Sequence, residues 1–223
     1  MMKKILALML AAVLVLTAAC CLAENTKEAQ KTAKAACNAR MAELMPAGKK
    51  VPKPVMSFDD GEIPGCWYAV YSYKQNGLKT EKTLANDPAA GAVVMESTRV
   101  ELKIKRGDAM DKAEKALTKA IPEDEEAEIP REAYEAYFAE FRTCLERVGL
   151  DADAYRWHID AIMTDGTAVL LEGYGDAGCV LADVWSKGKN KHAVTLTWNN
   201  IPDSSFAENH PELQPGGFVC GME

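Results

Sequence analysis

Arg156, His158 and Asp160 alternate with Trp157 and Ile159. A period of two places the three polar side chains on one face of one strand. A histidine beside a carboxylate can act as a general base near neutral pH. Neighbouring strands could add Glu172 and His192 to the group. Cys179 could supply a nucleophilic thiolate if the fold brings it to a histidine such as His192. The catalytic candidates are therefore His158, Asp160, Cys179 and His192. A strand with one solvated face shows the same alternation without any function. That plainer reading is preferred, so the chain leans away from being an enzyme.

Aromatic residues form the second group. Trp67, Tyr71, Trp157, Trp185 and Trp198 all fall on expected strands. On a concave sheet they could stack on a sugar, a lipid or a peptide, which makes them the ligand-binding candidates. Turned towards helices they would be core, the commoner fate of a strand tryptophan.

Other chemistries lack their residues. The three histidines, His158, His192 and His210, are widely separated, and the mature chain has no Cys-x-x-Cys pair or His-Glu-x-x-His helix for zinc. A glycine-rich phosphate loop and a Gly-x-Ser-x-Gly turn are also missing. Asp59-Asp60-Gly61-Glu62 and Asp151-Ala152-Asp153 offer oxygen ligands without the spacing of a calcium loop. No metal and no cofactor is expected. The formal charge is −7, and an acidic balance argues against a nucleic-acid partner.

The elements that must position these residues are legible in outline. Asn25-Thr26-Lys27-Glu28 resembles a capping box, followed by Ala29, Ala33, Cys37, Met41 and Leu44 at helical spacing up to Pro46. Val55 to Phe58 reads as a short strand. Trp67 to Lys74 alternates, and Asn76-Gly77 is a hairpin signal. Thr80 to Ala90 reads as polar and irregular, and Ala92 to Lys105 as strand. A helix with Met110, Ala113 and Leu117 on one stripe runs to Pro122. Another starts at Pro130, carries Tyr134, Tyr137, Phe138, Phe141, Cys144 and Leu145 inward, and stops at Gly149. Tyr155–Met163, Thr167–Tyr174, Cys179–Trp185 and His192–Trp198 read as strands, with Asp165-Gly166 as a turn. The last 23 residues read as loop, with room for a helical turn near Ser204 to Asn209.

The expected fold is α+β, with antiparallel sheet packed by helices. Two helix-plus-meander halves, 24–122 and 129–223, would be joined by an acidic linker at 123–128; a single domain fits nearly as well. A helix laid across a curved meander is similar in outline to cystatin-like or NTF2-like architecture. No diagnostic motif of either class is present.

The 48% apolar content of the 223 residues includes an export signal. Met1-Met2-Lys3-Lys4 is a positive start, Ile5–Leu16 is uncharged, and small residues lead to Ala23. This is a secretory layout, with residues 1–23 as signal peptide and 24–223 as the exported domain. Leu16-Thr17-Ala18-Ala19-Cys20 also looks like a degraded lipoprotein box, which makes Cys20 a lipidation candidate. The location is then periplasmic or extracellular, or lipid-anchored at the envelope. Loss of Lys3 and Lys4 takes the formal charge from −7 to −9. An oxidising compartment makes Cys37, Cys66, Cys144, Cys179 and Cys220 disulfide candidates, with connectivity unreadable.

Taken together, these readings favour an exported bacterial envelope protein that binds a small ligand or another envelope protein without catalysis. A small hydrolase or transferase using His/Asp or Cys/His, and a structural or inhibitory docking module, are the alternatives. Membrane contact would come only through an N-terminal lipid, and oligomeric state is unreadable.

Overall fold

The computed structural model describes residues 26–59, 61, 63–105, 107–120, 130–162, 168–186, 192–202, 208–209, 211 and 213–220. Asp160, Trp185, His192 and Cys220 are placed by backbone position alone. Among the described residues the fold is α+β: three α-helices and a multi-stranded sheet that is mainly antiparallel. The chain divides into two compact units. One takes in residues up to Ser72 with Lys82–Glu96, and the other Tyr73–Glu81 with Ser97 onward.

In the first unit, helix α1 (Lys27–Leu44) starts where the Thr26 hydroxyl accepts a hydrogen bond from the Ala29 N–H at 3.1 Å. Its buried residues, Ala33, Cys37 and Met41, recur every four positions and form one inward stripe. Strand β1 (Val55–Phe58) pairs antiparallel with β2 (Trp67–Gln75). Next come β3 (Leu78–Asp87) and β4 (Ala92–Ile104), in the order β1-β2-β3-β4. The α1 stripe meets Tyr71 and Leu84: Tyr71 donates its hydroxyl to Asn38 Oδ1 at 2.9 Å, and the Cys37 thiol donates to the Leu84 carbonyl at 3.9 Å. The other face of these strands carries Tyr68, Ala85, Met95 and Cys66 beneath Ile63. The Tyr68 hydroxyl accepts from the Ile63 N–H and donates to its carbonyl.

Strand β3 corrects the irregular reading of 80–90. Its sequence is polar, yet it carries polar side chains into buried and half-buried positions. Lys82 reaches Glu96 at 3.4 Å, and Thr80, Leu84, Ala85 and Asn86 are each buried. A strand covered on both faces and partnered through polar groups shows no apolar alternation. The β2–β3 turn is the expected one. Asn76 and Gly77 both adopt positive φ, the geometry that a two-residue hairpin needs.

The second unit holds the tip of that hairpin, the rest of β4, and the order β4-β8-β7-β6-β5-β9. Helix α2 (Ala109–Lys119) and helix α3 (Arg131–Val148) precede β5 (Arg156–Ile162), β6 (Ala168–Gly175), β7 (Gly178–Ser186), β8 (His192–Asn199) and β9 (Phe218–Cys220). Gly149, with φ 83°, ends α3 as a left-handed cap. The α3 stripe of Tyr137, Phe138, Phe141, Cys144 and Leu145 buries against Trp157, Leu171, Ala182 and Leu196. Trp157 is the centre of this core. Its ring stands edge-on to Phe141 at 5.4 Å and to Phe138 at 5.8 Å, and its indole N–H donates to the Ala152 carbonyl at 2.9 Å. Gly173 sits opposite Trp157, and a Cβ there would lie 2.8 Å from the indole ring.

Strand β9 was expected to be loop. Its three residues run parallel to β5. The Arg142 guanidinium donates to the Gly216 carbonyl, Arg156 donates to the Leu213 carbonyl at 2.9 Å, and Phe218 packs on Phe138. So short a strand is made by these long-range contacts and leaves no periodic trace in sequence.

The expectation of disulfides is overturned for the four cysteines whose side chains are described. Cys37, Cys66, Cys144 and Cys179 all stand as thiols. Cys37 lies on α1, which reaches Tyr71 on one face of β2, and Cys66 clusters with Tyr68 on the other face, three residues away in the same strand. Cys144 lies inside α3's apolar stripe, and Cys179 donates to the Ile201 carbonyl at 3.3 Å. Cys20, His210, the linker 123–128 and the Asp165-Gly166 turn lie outside the described residues.

Candidate functional site

Two arrangements in the second unit bear on function. The first is the face of β5–β6–β7 turned away from α2 and α3. Antiparallel register sets His158 directly opposite Glu172, and Arg156 opposite Tyr174. Directly opposed side chains lie about 5 Å apart at Cβ, so His158 and Glu172 share one polar row. The Tyr174 hydroxyl donates to a Glu172 carboxylate oxygen. All three side chains are half-buried. Arg156 is drawn off towards the Leu213 carbonyl. Asp160 falls where the β5–β6 register shifts, between Ile159 and Ala161. Such a bulge breaks the period of two on which the Arg156–His158–Asp160 grouping rests.

Cys179 is opposite Tyr174 and Asn199, two strands from His158, roughly 10 Å away by strand spacing alone. His192 pairs with Ser186 and Ile104. Seven residues of β8 separate it from the Asn199 position beside Cys179, roughly 23 Å at 3.3 Å per residue. This face therefore brings His158 and Glu172 together and keeps Cys179 apart from both histidines.

The remaining thiols are poorly disposed to react. Burial pushes the Cys37 thiol up to about 11, and raises Cys66 and Cys144 as well. A thiol held protonated is a weak nucleophile and a weak metal ligand. Among the described residues no group of three or more His, Cys, Asp or Glu side chains could hold a metal ion. No described helix is long and apolar enough to cross a membrane.

The second arrangement is a cleft of about 70 Å³. The hairpin tip contributes Gln75, Asn76, Leu78 and Thr80; β4 contributes Thr98 and Val100. Trp198 of β8 lies beside Thr98 in the ladder, and the last turn of α3 adds Arg147 and Val148. Thr80, Thr98 and Val100 are buried, Trp198 is half-buried, and Arg147 and Asn76 are exposed. The cleft thus has a hydroxyl-bearing floor, an indole wall and a cationic rim.

The aromatic candidates divide accordingly. Trp67 and Tyr71 are buried in the first unit, with Trp67 against Phe58 at 5.1 Å, and Trp157 is the second-unit core. Trp185 sits opposite Ala168 and Ala193 in the ladder. Trp198 alone of the described candidate side chains borders the cleft. The sequence reading missed its companions. The signals for them were the Asn76-Gly77 turn, which marks a tip, and Arg147, a cation just before a helix-ending glycine. Neither reports that the two ends meet.

No family model matches this chain, and no curated protein or solved structure matches it.

Proposed function

We propose that this is an exported, non-catalytic binding module whose ligand occupies the cleft beside Trp198. The single observation carrying the reading is a half-buried indole forming one wall of a cleft that also holds hydroxyl, amide and guanidinium groups. Apolar walls with a few convergent polar groups are what small-molecule sites share. Export rests on the positive, apolar and small-residue order of residues 1–23. The likeness of α3 over its meander to cystatin-like or NTF2-like outlines belongs with this proposal and has no motif behind it.

The test is a fragment titration of the mature chain followed by NMR. Saturable shifts should converge on the Trp198 indole N–H and on Thr98, and should disappear in Trp198→Leu. Shifts that cluster elsewhere, or none at all, refute the reading. The hydrolase alternative draws on one observation, the register of His158 opposite Glu172. It requires an ester- or amide-cleaving activity that is lost in His158→Gln.

A further inference from the structure

We propose that the cleft beside Trp198 selects a small carboxylate and that Arg147 reads its charge. The inference rests on the binding reading above and adds the chemical class of the ligand. Arg147 is an uncommitted cation: it makes no ion pair or hydrogen bond with a described residue. The other arginines of this unit's helices and of β5 are engaged. Arg131 meets Glu135, Arg142 meets Asp153, and Arg156 donates to the Leu213 carbonyl. No Asp or Glu is among the described residues that line the cleft. A guanidinium with its donors unspent presents a planar fork that matches the two oxygens of a carboxylate.

The surroundings fit the rest of such a molecule. Thr80 and Thr98 form the polar part of the floor, and the Thr80 hydroxyl donates to the Leu78 carbonyl at 3.5 Å. Trp198 and Val100 offer apolar surface to a short carbon body. The volume of about 70 Å³ is well below that of a drug-sized pocket, so the body is a few carbons long. One charge opposes the anion. The C-terminal end of α3 carries a partial negative charge of about one half. A full guanidinium charge on the same turn exceeds it. The chain's net charge of −7 repels anions in general, so retention at this cleft depends on the local cation.

The experiment titrates the full mature chain with butyrate and with its neutral isostere butyramide, reading the Trp198 indole N–H resonance. Butyrate should shift it saturably. Butyramide should bind roughly tenfold more weakly, the difference that one charge-assisted hydrogen bond supplies. Arg147→Gln, at an exposed helix position, should weaken butyrate by a similar factor and leave butyramide unchanged. Added salt should weaken butyrate alone. Equal binding of the two probes, or butyrate binding undiminished in Arg147→Gln, overturns the carboxylate inference and leaves the cleft as a site. If neither probe moves the Trp198 resonance, the cleft reading fails with it.

Discussion

Replacing Gly173 by alanine tests the packing of the second-unit core, because the sign of the effect is decided by geometry. Gly173 does not have a positive φ, so alanine is compatible with its backbone. In open space the substitution would stabilise by about 0.4–1 kcal/mol, by restricting the unfolded chain. The new Cβ, however, would lie 2.8, 2.9 and 3.0 Å from three atoms of the Trp157 ring. That ring has nowhere to go. Phe138 and Phe141 stand edge-on to it, and its N–H is bonded to the Ala152 carbonyl. Overpacking of this kind costs about 1–3 kcal/mol. Displacing the indole would forfeit a further hydrogen bond worth about 1 kcal/mol. A net loss near 2–3 kcal/mol lowers the melting temperature by roughly 5–10 °C in a chain of this size. Thermal unfolding followed by near-ultraviolet circular dichroism, which reads the buried indole, is the assay. In a cycle with Trp157→Phe, the smaller ring should recover part of the loss, with a coupling of about 1 kcal/mol. An unchanged or raised melting temperature for Gly173→Ala would refute the close packing at this position.

Two further perturbations test other parts of the fold. The Cys37 thiol is raised from 9.0 to about 11 by burial, so between those values the folded state binds more protons than the unfolded one. Its contribution is full below pH 9 and is lost as pH rises towards 11, a fall of a few kcal/mol that denaturant titrations across this window should show and Cys37→Ala should flatten. Tyr71 and Cys66, raised chiefly by burial, act with the same sign. Truncation after residue 212 removes β9 and the carbonyls that engage Arg142 and Arg156, baring the edge of β5. The truncated chain should self-associate on size-exclusion chromatography, as uncovered strand edges do; a stable monomer would show that β9 is not an edge guard.

Local backbone chemistry was readable from residue types. The Pro46 stop, the left-handed Gly149 and the Asn76-Gly77 turn each follow from properties of one or two side chains. The same holds for the inward stripe of α3, whose spacing is its own evidence. Strand β3 was not readable, because Lys82 is satisfied by Glu96 on another strand. The cysteines misled for a related reason. An oxidising compartment permits a bridge, but only geometry brings two sulfurs within reach, and Cys37 and Cys66 lie on opposite sides of β2. At the candidate site, Trp198 was picked out for its type, whereas Arg147 came into view only when the end of α3 met the hairpin tip.

By itself the sequence determined an α+β chain, the neighbourhoods in which its helices begin and end, and the acidic balance of its charge. Tertiary structure decided that His158 stands opposite Glu172 rather than in an unbroken row with Asp160, that Cys179 and His192 sit at opposite ends of a strand pair, and that β9 exists at all. The division has one cause. Caps, turns and alternation depend on neighbours within a few residues, whereas register and cleft walls depend on pairing between segments tens of residues apart, which no single segment encodes.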